Sequence, residues 1–222
     1  PSNPTGAVYT KEELMKIADI AVKNDLIVIS DEIYEKLIYD GEHISIASFS
    51  DDIKERTILI NGMSKAYAMT GWRIGYTASN KEIASIMSNM QSHATSNPNT
   101  IAQYASIEGL EGDKSSIEKM KDEFNIRRDL MVSLVNDIPL LSCQKPKGAF
   151  YVMVNISNAI GKTIKGIKIN GSMDFANLLL EIAQVAVVPG IAFGVDNYVR
   201  LSYATSQEKI KEGINRIKNC LE

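Results

Sequence analysis

The sequence is poor in the residue types that build metal centres and nucleophilic triads. It has two cysteines, Cys143 and Cys220, far apart in the chain, and two histidines, His43 and His93, that stand alone. A zinc site needs several cysteine or histidine ligands at close spacing, and a Ser-His-Asp triad needs a histidine with partners. We therefore expect neither a metal site nor such a triad. The two cysteines are interpreted as free thiols of a reduced compartment.

The chain also lacks a basic excess and a long apolar run. Its 24 lysines and arginines against 27 aspartates and glutamates give a net charge of −3. Nucleic acids bind to clustered basic residues, so no nucleic acid is expected as a partner. No apolar segment approaches the roughly 20 residues that span a bilayer, so no membrane partner is expected either. With 222 residues, 45% of them hydrophobic, the chain can instead bury a substantial core.

A short apolar run, Leu26-Ile27-Val28-Ile29-Ser30, ends in Asp31, and Tyr34 comes three residues later. Its length and β-branched residues are typical of a central parallel strand, and ligands of open α/β sheets bind at the carboxyl edge of such strands. There Asp31 could pair with a protonated ring nitrogen, and Tyr34 could donate a hydrogen bond to a ring oxygen. The alternative is a helix-capping aspartate and an ordinary half-buried tyrosine.

A second apolar run, Thr57-Ile58-Leu59-Ile60, predicts a buried strand that precedes Lys65 and Arg73. This placement suits a Schiff-base lysine beside an arginine that grips a phosphate. The amine must be dry enough to lose its proton, whereas the arginine stays charged and bidentate. Considered alone, a lysine and an arginine at this spacing are also typical of a solvated face.

The opening segment, Pro1-Ser2-Asn3-Pro4-Thr5-Gly6, contains two prolines and a glycine. These residues predict a rigid turn that could aim the Asn3 amide inward. Without further context the segment is simply a loop.

Several helix and strand boundaries can be predicted from local patterns. Thr10 with Glu13 predicts a capping box that opens a helix, and Asn80 predicts the cap of another helix, in which Met87 and Met90 fill the core. A strand is expected over residues 73–78, between the two helices.

The pattern changes after a long amphipathic helix predicted over residues 115–137. Beyond Ile138-Pro139 the sequence is rich in strand patterns, with strands predicted around 150–156, 185–188 and 198–203 and a helix near 172–183. Thr205 and Glu208 predict a second capping box before the last helix. The predicted fold class is α/β followed by α+β, with a domain boundary near residue 138.

Six blocks of sequence together resemble the fold-type I pyridoxal-phosphate (PLP) family, specifically the class I/II aminotransferases. Their order and spacing match the family over essentially the whole chain. The blocks are Asn3-Pro4-Thr5-Gly6, Asp31-Glu32-Ile33-Tyr34, Ser64-Lys65 through Gly71-Trp72-Arg73-Ile74-Gly75-Tyr76, Pro146-Lys147-Gly148-Ala149-Phe150-Tyr151, Val188-Pro189-Gly190 with Phe193-Gly194, and Arg200-Leu201-Ser202-Tyr203-Ala204.

The resemblance implies a domain arrangement. Residues 1–138 would be the C-terminal part of the PLP-binding large domain, with a mixed, mostly parallel sheet, helices and a linking helix. Residues 139–222 would be the small C-terminal α+β domain. Family members are close to twice as long, and this chain starts inside the asparagine motif, so we expect it to be part of a longer polypeptide that is weakly active or inactive alone.

The resemblance also assigns roles to individual residues, with pyridoxal 5'-phosphate as the cofactor. Lys65 would form the Schiff base and move the α-proton, and Asp31 would keep the ring nitrogen protonated. Tyr34 and Asn3 would hydrogen-bond the phenolic oxygen of the ring. Arg73 would bind the phosphate.

Two further residues would contact the substrate. Arg200 would grip the α-carboxylate, and Phe150 would line the substrate pocket. The chain departs from the family at Gly62, where many relatives carry a serine that donates to the phosphate. We expect Ser64 to supply that hydroxyl instead.

The implied reaction is transfer of an amino group from an amino acid to a 2-oxo acid. The stretch from Lys65 to Gly71 is similar to bacterial aspartate aminotransferases, which favours aspartate and glutamate, while aromatic and branched-chain amino acids stay open as substrates. The alternatives are a PLP-dependent carbon-sulfur lyase or cyclopropane-forming synthase, or the aminotransferase-like body of a transcription regulator. A cytoplasmic location and a homodimer of the full-length protein are expected.

Overall fold

The first helix begins at the capping box that the sequence predicts. In the computed structural model, which describes residues 1–222, Thr10 Oγ1 accepts a hydrogen bond from Glu13 N at 3.2 Å, and Glu13 Oε2 accepts one from Thr10 N at 2.8 Å. These bonds satisfy amides that a helix leaves without partners in its first turn. Helix α1 (Lys11–Lys23) buries Ala18 and Ala21.

The chain divides into two units. The first contains Pro1 and Val8–Lys119, and the second contains Ser2–Ala7 and Met120–Glu222. The division falls inside the long helix Ser115–Asn136, which matches the helix predicted over 115–137. The assignment of residues 1–138 and 139–222 to two domains of a larger protein stays a prediction.

A three-stranded sheet forms the centre of the first unit. Strand β1 (Val28–Asp31) lies parallel to β2 (Thr57–Gly62), and β2 pairs antiparallel with β3 (Gly75–Ala78). Helix α2 (Asp51–Glu55) lies on the crossover from β1 to β2. Because parallel strands end at the same edge of a sheet, the segments after β1 and β2 meet at one edge. Strand β3 runs the other way and starts at that edge.

Apolar side chains of the first unit are exposed where the sequence predicts burial. Helix α3 (Lys81–Thr95) is capped by Asn80 as predicted, but it buries no residue, and Met90 is 69% exposed. The prediction that its methionines fill the core is wrong. Strand β1 lies at an edge of the sheet rather than at its centre, and Ile29 is 67% exposed because no further element of this chain covers it.

The second unit combines the end of a long helix with a small antiparallel sheet. Helix α4 (Thr100–Glu111), in the first unit, precedes α5 (Ser115–Asn136), which crosses into the second. The strands after it are β4 (Ser142–Cys143), β5 (Tyr151–Asn155), β6 (Thr163–Ile164), β7 (Ile167–Lys168), β8 (Val188–Pro189) and β9 (Tyr198–Ser202). The sheet has the order β4-β5-β9-β8, and β6 with β7 forms a separate hairpin.

The helices of the second unit bury apolar side chains. Helix α6 (Ser172–Leu178) continues as a π-helical turn over Leu179–Ala183, and α7 (Gln207–Leu221) closes the chain. Helix α6 packs against the sheet, and α7 packs against the turn that follows α6. Buried isoleucines recur along α7 at helical spacing, as the sequence predicts. They are Ile210, Ile214 and Ile217.

Two local predictions for this unit are wrong. The cap of α7 is Ser206, whose Oγ accepts a hydrogen bond from Lys209 N at 3.3 Å, and not Thr205. The strand predicted over 185–188 is reduced to Val188–Pro189, and Val185 N donates instead to Leu179 O of the π-helical turn at 3.0 Å. None of the helices combines the length and the apolar character that crossing a membrane requires.

Candidate functional site

Asp31 ends strand β1 at the sheet edge where β2 also ends. It is opposite Ile60 in the parallel pairing, and its side chain is exposed. Asp31 Oδ1 accepts a hydrogen bond from Ile33 N at 3.1 Å, which shapes the turn after the strand. The second carboxylate oxygen can accept a donor from a bound molecule. This position is the one at which open α/β sheets bind ligands.

Lys65 lies in the turn after β2, at the same edge. Its Nζ is 5.7 Å from the centroid of the Tyr34 ring, and Tyr34 is buried in the turn after β1. Lys65 itself is half-buried, and its carbonyl oxygen accepts a hydrogen bond from Ala68 N at 3.2 Å. The parallel pairing of β1 and β2 therefore brings together an amine and a phenol that are 31 residues apart in the sequence.

The loop that carries Lys65 closes through an unusually near approach of two glycines. Gly62 and Gly75 are paired across β2 and β3, and a Cβ built on Gly62 would lie 2.8 Å from Gly75 Cα. A real Cβ could not occupy that space without moving the strands. This contact explains why a serine cannot be accommodated at position 62 of this chain, although the family resemblance leads one to expect it.

Arg73 lies on the far side of the same loop, just before β3. Its backbone has a left-handed φ of 52°, its side chain is exposed, and its Nη1 donates to Thr70 O at 2.9 Å. The other guanidinium donors can bind an anion. Ser64, the hydroxyl expected to replace the missing serine, is half-buried in the turn next to Lys65.

Glu32, the residue after Asp31, is the centre of a hydrogen-bond network that the sequence patterns did not predict. Its buried carboxylate accepts from Ser30 Oγ at 3.0 Å and Ser45 Oγ at 2.7 Å, and His43 Nε2 lies 2.7 Å from its Oε2. Burial raises the pKa of Glu32, but the hydrogen bonds from His43 and the two serines lower it by more, so the pKa is below its ordinary value. The network ties the loop of residues 43–45 to the strand end.

The expectation that His43 stands alone is thus wrong. Glu35 adds a third ligand-type atom, and the three atoms of Glu32, Glu35 and His43 lie within 4.8 Å of one another. Both oxygens of Glu32 already have hydrogen-bonding partners within the chain. We therefore describe the cluster as a structural network and assign no metal to it.

In the second unit, Asn3 and Arg200 form a hydrogen-bonded pair. Arg200 Nη1 donates to Asn3 Oδ1 at 2.6 Å, although the two residues are 197 positions apart. The guanidinium carbon of Arg200 is 4.3 Å from the Tyr151 ring centroid and 5.1 Å from that of Phe193. Stacking on aromatic rings and a fixed hydrogen bond hold the planar fork in one orientation, which suits binding of a carboxylate.

Phe150 belongs to an aromatic cluster in the same unit. Its ring centroid is 5.5 Å from that of Phe124 and 4.7 Å from that of Tyr151. It is half-buried, and its carbonyl oxygen accepts from Tyr203 N at 3.0 Å. Phe150 is thus a neighbour of the tyrosine on which Arg200 stacks, and its place in a substrate pocket stays a prediction.

The predicted residues therefore form two groups. Those in the first unit are Asp31, Tyr34, Ser64, Lys65 and Arg73, and those in the second are Asn3, Phe150 and Arg200. Tyr151 and Phe193, the rings beside Arg200, were not predicted as site residues, although both lie within the blocks that carry the family resemblance. Spacing in the sequence could not identify Tyr151, because it is 49 positions from Arg200 and the two meet only through the pairing of β5 with β9.

Arg128, which is only 1% exposed, is another residue that the sequence patterns did not predict. It lies on the face of α5 that carries Phe124, Met131 and Val135, all buried. An arginine in the middle of an apolar stripe is the signal that could have identified it.

The sequence matches the profile of the family described as aminotransferase class I and II over residues 1–217. An aspartate aminotransferase of Bacillus sp. (strain YM-2) is 50% identical over 98% of this chain and 55% of its own length. The crystal structure of the aspartate aminotransferase from Rhizobium meliloti superposes with a TM-score of 0.96 at 40% identity, over 100% of this chain and 56% of that one.

A further solved structure is the aspartate aminotransferase from Thermus thermophilus with maleate, with a TM-score of 0.90 and 41% identity over 100% of this chain and 55% of the other. The chain thus spans about 55% of the length of such relatives. The α/β fold class is confirmed by these structures. From its profile match, sequence identity and superposition, this chain is a member of the class I and II aminotransferase family.

Proposed function

We propose that the complete protein carrying this chain is a PLP-dependent aminotransferase that acts on aspartate and glutamate. The observation that carries the proposal is the position of Lys65 Nζ, 5.7 Å from the Tyr34 ring centroid at the edge where β1 and β2 end. A lysine amine half-buried against an aromatic ring, one strand away from an exposed carboxylate, is suited to binding an aldehyde cofactor covalently.

The side chains at this edge are complementary to the chemical groups of PLP. Asp31 offers a carboxylate for the ring nitrogen, and the Tyr34 hydroxyl can donate to the phenolic oxygen. Arg73 and Ser64 offer a guanidinium and a hydroxyl for the phosphate. Asn3 is proposed as a second partner of the phenolic oxygen on the family resemblance alone.

When bound, the cofactor supplies an electron-withdrawing ring that weakens the bond between the substrate α-carbon and its hydrogen. The Asp31 carboxylate keeps the ring nitrogen protonated, because a neighbouring negative charge favours the cationic form. Lys65 then accepts the α-proton on its ε-nitrogen and returns a proton during the second half of the reaction. Arg200 holds the α-carboxylate throughout, because its fork is already fixed by Asn3 and two aromatic rings.

The proposed substrate class is supported by relatives of this chain. Curated aspartate aminotransferases match nearly all of it, and one solved relative was determined with maleate, a four-carbon dicarboxylate. Aspartate and the 2-oxo acid formed from it are also four-carbon dicarboxylates, so each carries a second carboxylate like that of maleate. We therefore propose amino acids and 2-oxo acids with a side-chain carboxylate as the substrates.

The homodimer and the cytoplasmic location are further proposals. Helix α4 has exposed apolar residues, with Ile101 67% and Tyr104 71% exposed, which supports an interface between subunits of the complete protein. Both cysteines are free thiols, which supports a reduced compartment such as the cytoplasm. Burial raises the pKa of Cys143 to about 11, so its thiol is poorly reactive. Light scattering of the complete protein at several concentrations tests the dimer.

The function is tested by locating the covalent attachment. The complete protein is loaded with PLP, reduced with borohydride and digested, and the cofactor mass is mapped onto peptides. We expect it on Lys65, with no adduct in Lys65→Arg. An adduct on another amine, or none, would refute the proposal.

Product analysis separates transamination from the related lyase chemistry. With aspartate and 2-oxoglutarate, we expect oxaloacetate and glutamate in equal amounts. Release of pyruvate and a thiol from a cysteine conjugate, with no amino-group transfer, would identify a carbon-sulfur lyase instead.

A further inference from the structure

Arg128 is the most completely buried charged side chain in the molecule. It lies on helix α5, and its guanidinium donates to Asp129 Oδ1 at 2.9 Å, Asn125 Oδ1 at 2.6 Å and Pro146 O at 3.0 Å. Burying a guanidinium is costly, and an apolar side chain of similar size is often at least as stabilising in such a place. Stability alone therefore does not account for an arginine here.

The bond to Pro146 fixes the start of a loop that packs against the N-terminal turn. Gly6 O accepts hydrogen bonds from Lys147 N at 3.1 Å and Gly148 N at 3.0 Å. The fit is so close that a Cβ built on Gly6 would lie 2.5 Å from Pro146 Cβ. Gly6 also has a φ of 66°, so a side chain there would be both crowded and strained.

The N-terminal turn contains Asn3. Gly6 N donates to Ser2 O at 2.8 Å, and Ser2 N donates to Ala7 O at 2.9 Å, so Asn3 is enclosed by a hydrogen-bonded turn. Asn3 Oδ1 then accepts from Arg200 Nη1 at 2.6 Å. A continuous path of direct contacts thus joins the buried guanidinium of Arg128 to that of Arg200.

A second path runs along the loop itself. The loop continues from Gly148 through Ala149, whose carbonyl oxygen accepts from the Tyr203 hydroxyl at 3.1 Å, to Tyr151. The Tyr151 ring is the one that lies 4.3 Å from the Arg200 guanidinium. The loop that Arg128 holds at Pro146 therefore fixes the positions of two neighbours of Arg200, which are Asn3 on the first path and Tyr151 on the second.

We propose that Arg128 is a positioning residue that fixes the orientation of the Arg200 guanidinium for carboxylate binding, acting through the loop 146–151 and the Asn3 turn. The inference rests on the proposed function, since it assumes that Arg200 binds the substrate carboxylate. Arg128 itself contacts neither substrate nor cofactor. Its effect should therefore be on affinity for a carboxylate ligand.

The test measures binding of maleate to the complete, PLP-loaded protein by calorimetry, alongside the thermal unfolding midpoint. Arg128→Gln should weaken maleate binding about tenfold, and Arg128→Lys, which keeps the charge and a donor nitrogen, should weaken it less. Ile217→Ala, a buried truncation on α7 in the same unit, should lower the unfolding midpoint and leave the maleate dissociation constant unchanged. It controls for general destabilisation.

A double-mutant cycle makes the result specific. If Arg128 acts through Asn3, the variant Arg128→Gln/Asn3→Ala should bind maleate about as weakly as the weaker single variant, instead of showing the product of the two losses. Should Arg128→Gln fail to fold, Gly6→Ala disturbs the same path without touching the buried charge and is expected to weaken maleate binding as well. Unchanged maleate binding in the folded variant that is tested overturns the inference, and multiplicative losses in the cycle overturn the path through Asn3.

The failure of the proposed function would be recognised separately. In that case the unaltered protein would not bind maleate, or Arg200→Ala would bind it as well as the unaltered protein does. Loss of binding in Arg200→Ala with full binding in Arg128→Gln would instead refute only the role of Arg128.

Discussion

Gly62 and Gly75 face each other across β2 and β3, and the backbone around each of them leaves no room for a side chain. A Cβ built on Gly75 would lie 2.9 Å from Asn61 O, and one built on Gly62 would lie 2.8 Å from Gly75 Cα. The two glycines close the loop that carries Lys65 at one end and Arg73 at the other. The geometry of the candidate cofactor site therefore depends on the absence of two methyl groups.

The first prediction concerns this contact between the two glycines. Gly62→Ser should destabilise the protein by roughly 1–3 kcal/mol, because an added side chain forces the two strands apart. It should also weaken PLP retention, measured by dialysis and absorbance of the bound cofactor. Gly213→Ala is the matched control, since nothing lies within 4 Å of a Cβ at that helical position. A Gly62→Ser protein with unchanged unfolding and cofactor retention would contradict the steric argument.

The second prediction concerns the exposed carboxylate at the end of β1. Asp31→Ala should reduce the turnover of aspartate by orders of magnitude, since the ring nitrogen of the cofactor would lose its anionic partner. The unfolding midpoint should change little, because the side chain is exposed and its hydrogen bond to the Ile33 amide is local. Steady-state kinetics and thermal unfolding of the complete protein check both parts. A near-normal rate would remove the role given to Asp31.

The third prediction concerns acid stability and the buried carboxylate of Glu32. Its pKa in the folded protein is lowered because the bonds from His43 and Ser45 outweigh the effect of burial. Its stabilisation is therefore fully present above the ordinary glutamate pKa of about 4.3 and is lost as the pH falls through the lower folded-state value. Glu32→Gln should cost about 1–3 kcal/mol at pH 7 and flatten the dependence of unfolding free energy on pH in the acid range.

Denaturant unfolding at a series of pH values tests this. Glu42→Gln, an exposed glutamate next to His43, is the control and should leave both the stability and its pH dependence nearly unchanged. Equal acid sensitivity in Glu32→Gln and in the unaltered protein would show that the network does not stabilise the fold.

The fourth prediction concerns the 222-residue chain alone. With Ile29 of β1 and Met90 of α3 largely exposed, this chain should self-associate, and it should form little or no 2-oxo acid from aspartate when mixed with PLP. Light scattering and a coupled assay for oxaloacetate test the two parts. Rapid, aspartate-dependent product formation by a monodisperse sample would show that the chain is sufficient for activity.

The parts of the fold that were predicted correctly depend on local chemistry. The caps at Thr10 and Asn80 each require only a side-chain oxygen and a nearby amide, so their sequence patterns identify them. The capping box placed at Thr205 was wrong by one residue, because Ser206 offers an equivalent hydroxyl. Sequence spacing alone does not choose between two adjacent hydroxyls.

The parts that were not predicted depend on contacts between distant segments. The role of Glu32 becomes visible only when the loop brings His43 and Ser45 back to the strand end. Arg128 is preceded by Arg127, whose Nε donates to Glu123 Oε1 at 2.7 Å near the surface. In the sequence, only the apolar stripe around Arg128 indicates that it is the buried one of these two arginines. Met90 was wrongly predicted to be buried, and β1 was wrongly predicted to be a central strand, since a sequence pattern identifies an apolar face but not what covers it.

The aromatic rings on either side of the Arg200 guanidinium have a consequence for the thermodynamics of ligand capture. A free arginine side chain carries about 2 kcal/mol of rotamer entropy, most of which is lost when it is immobilised. Tyr151, Phe193 and Asn3 already restrain this side chain in the folded protein. The loss of freedom is therefore incurred during folding, and the carboxylate that we propose as the ligand of Arg200 would meet a receptor that is already ordered.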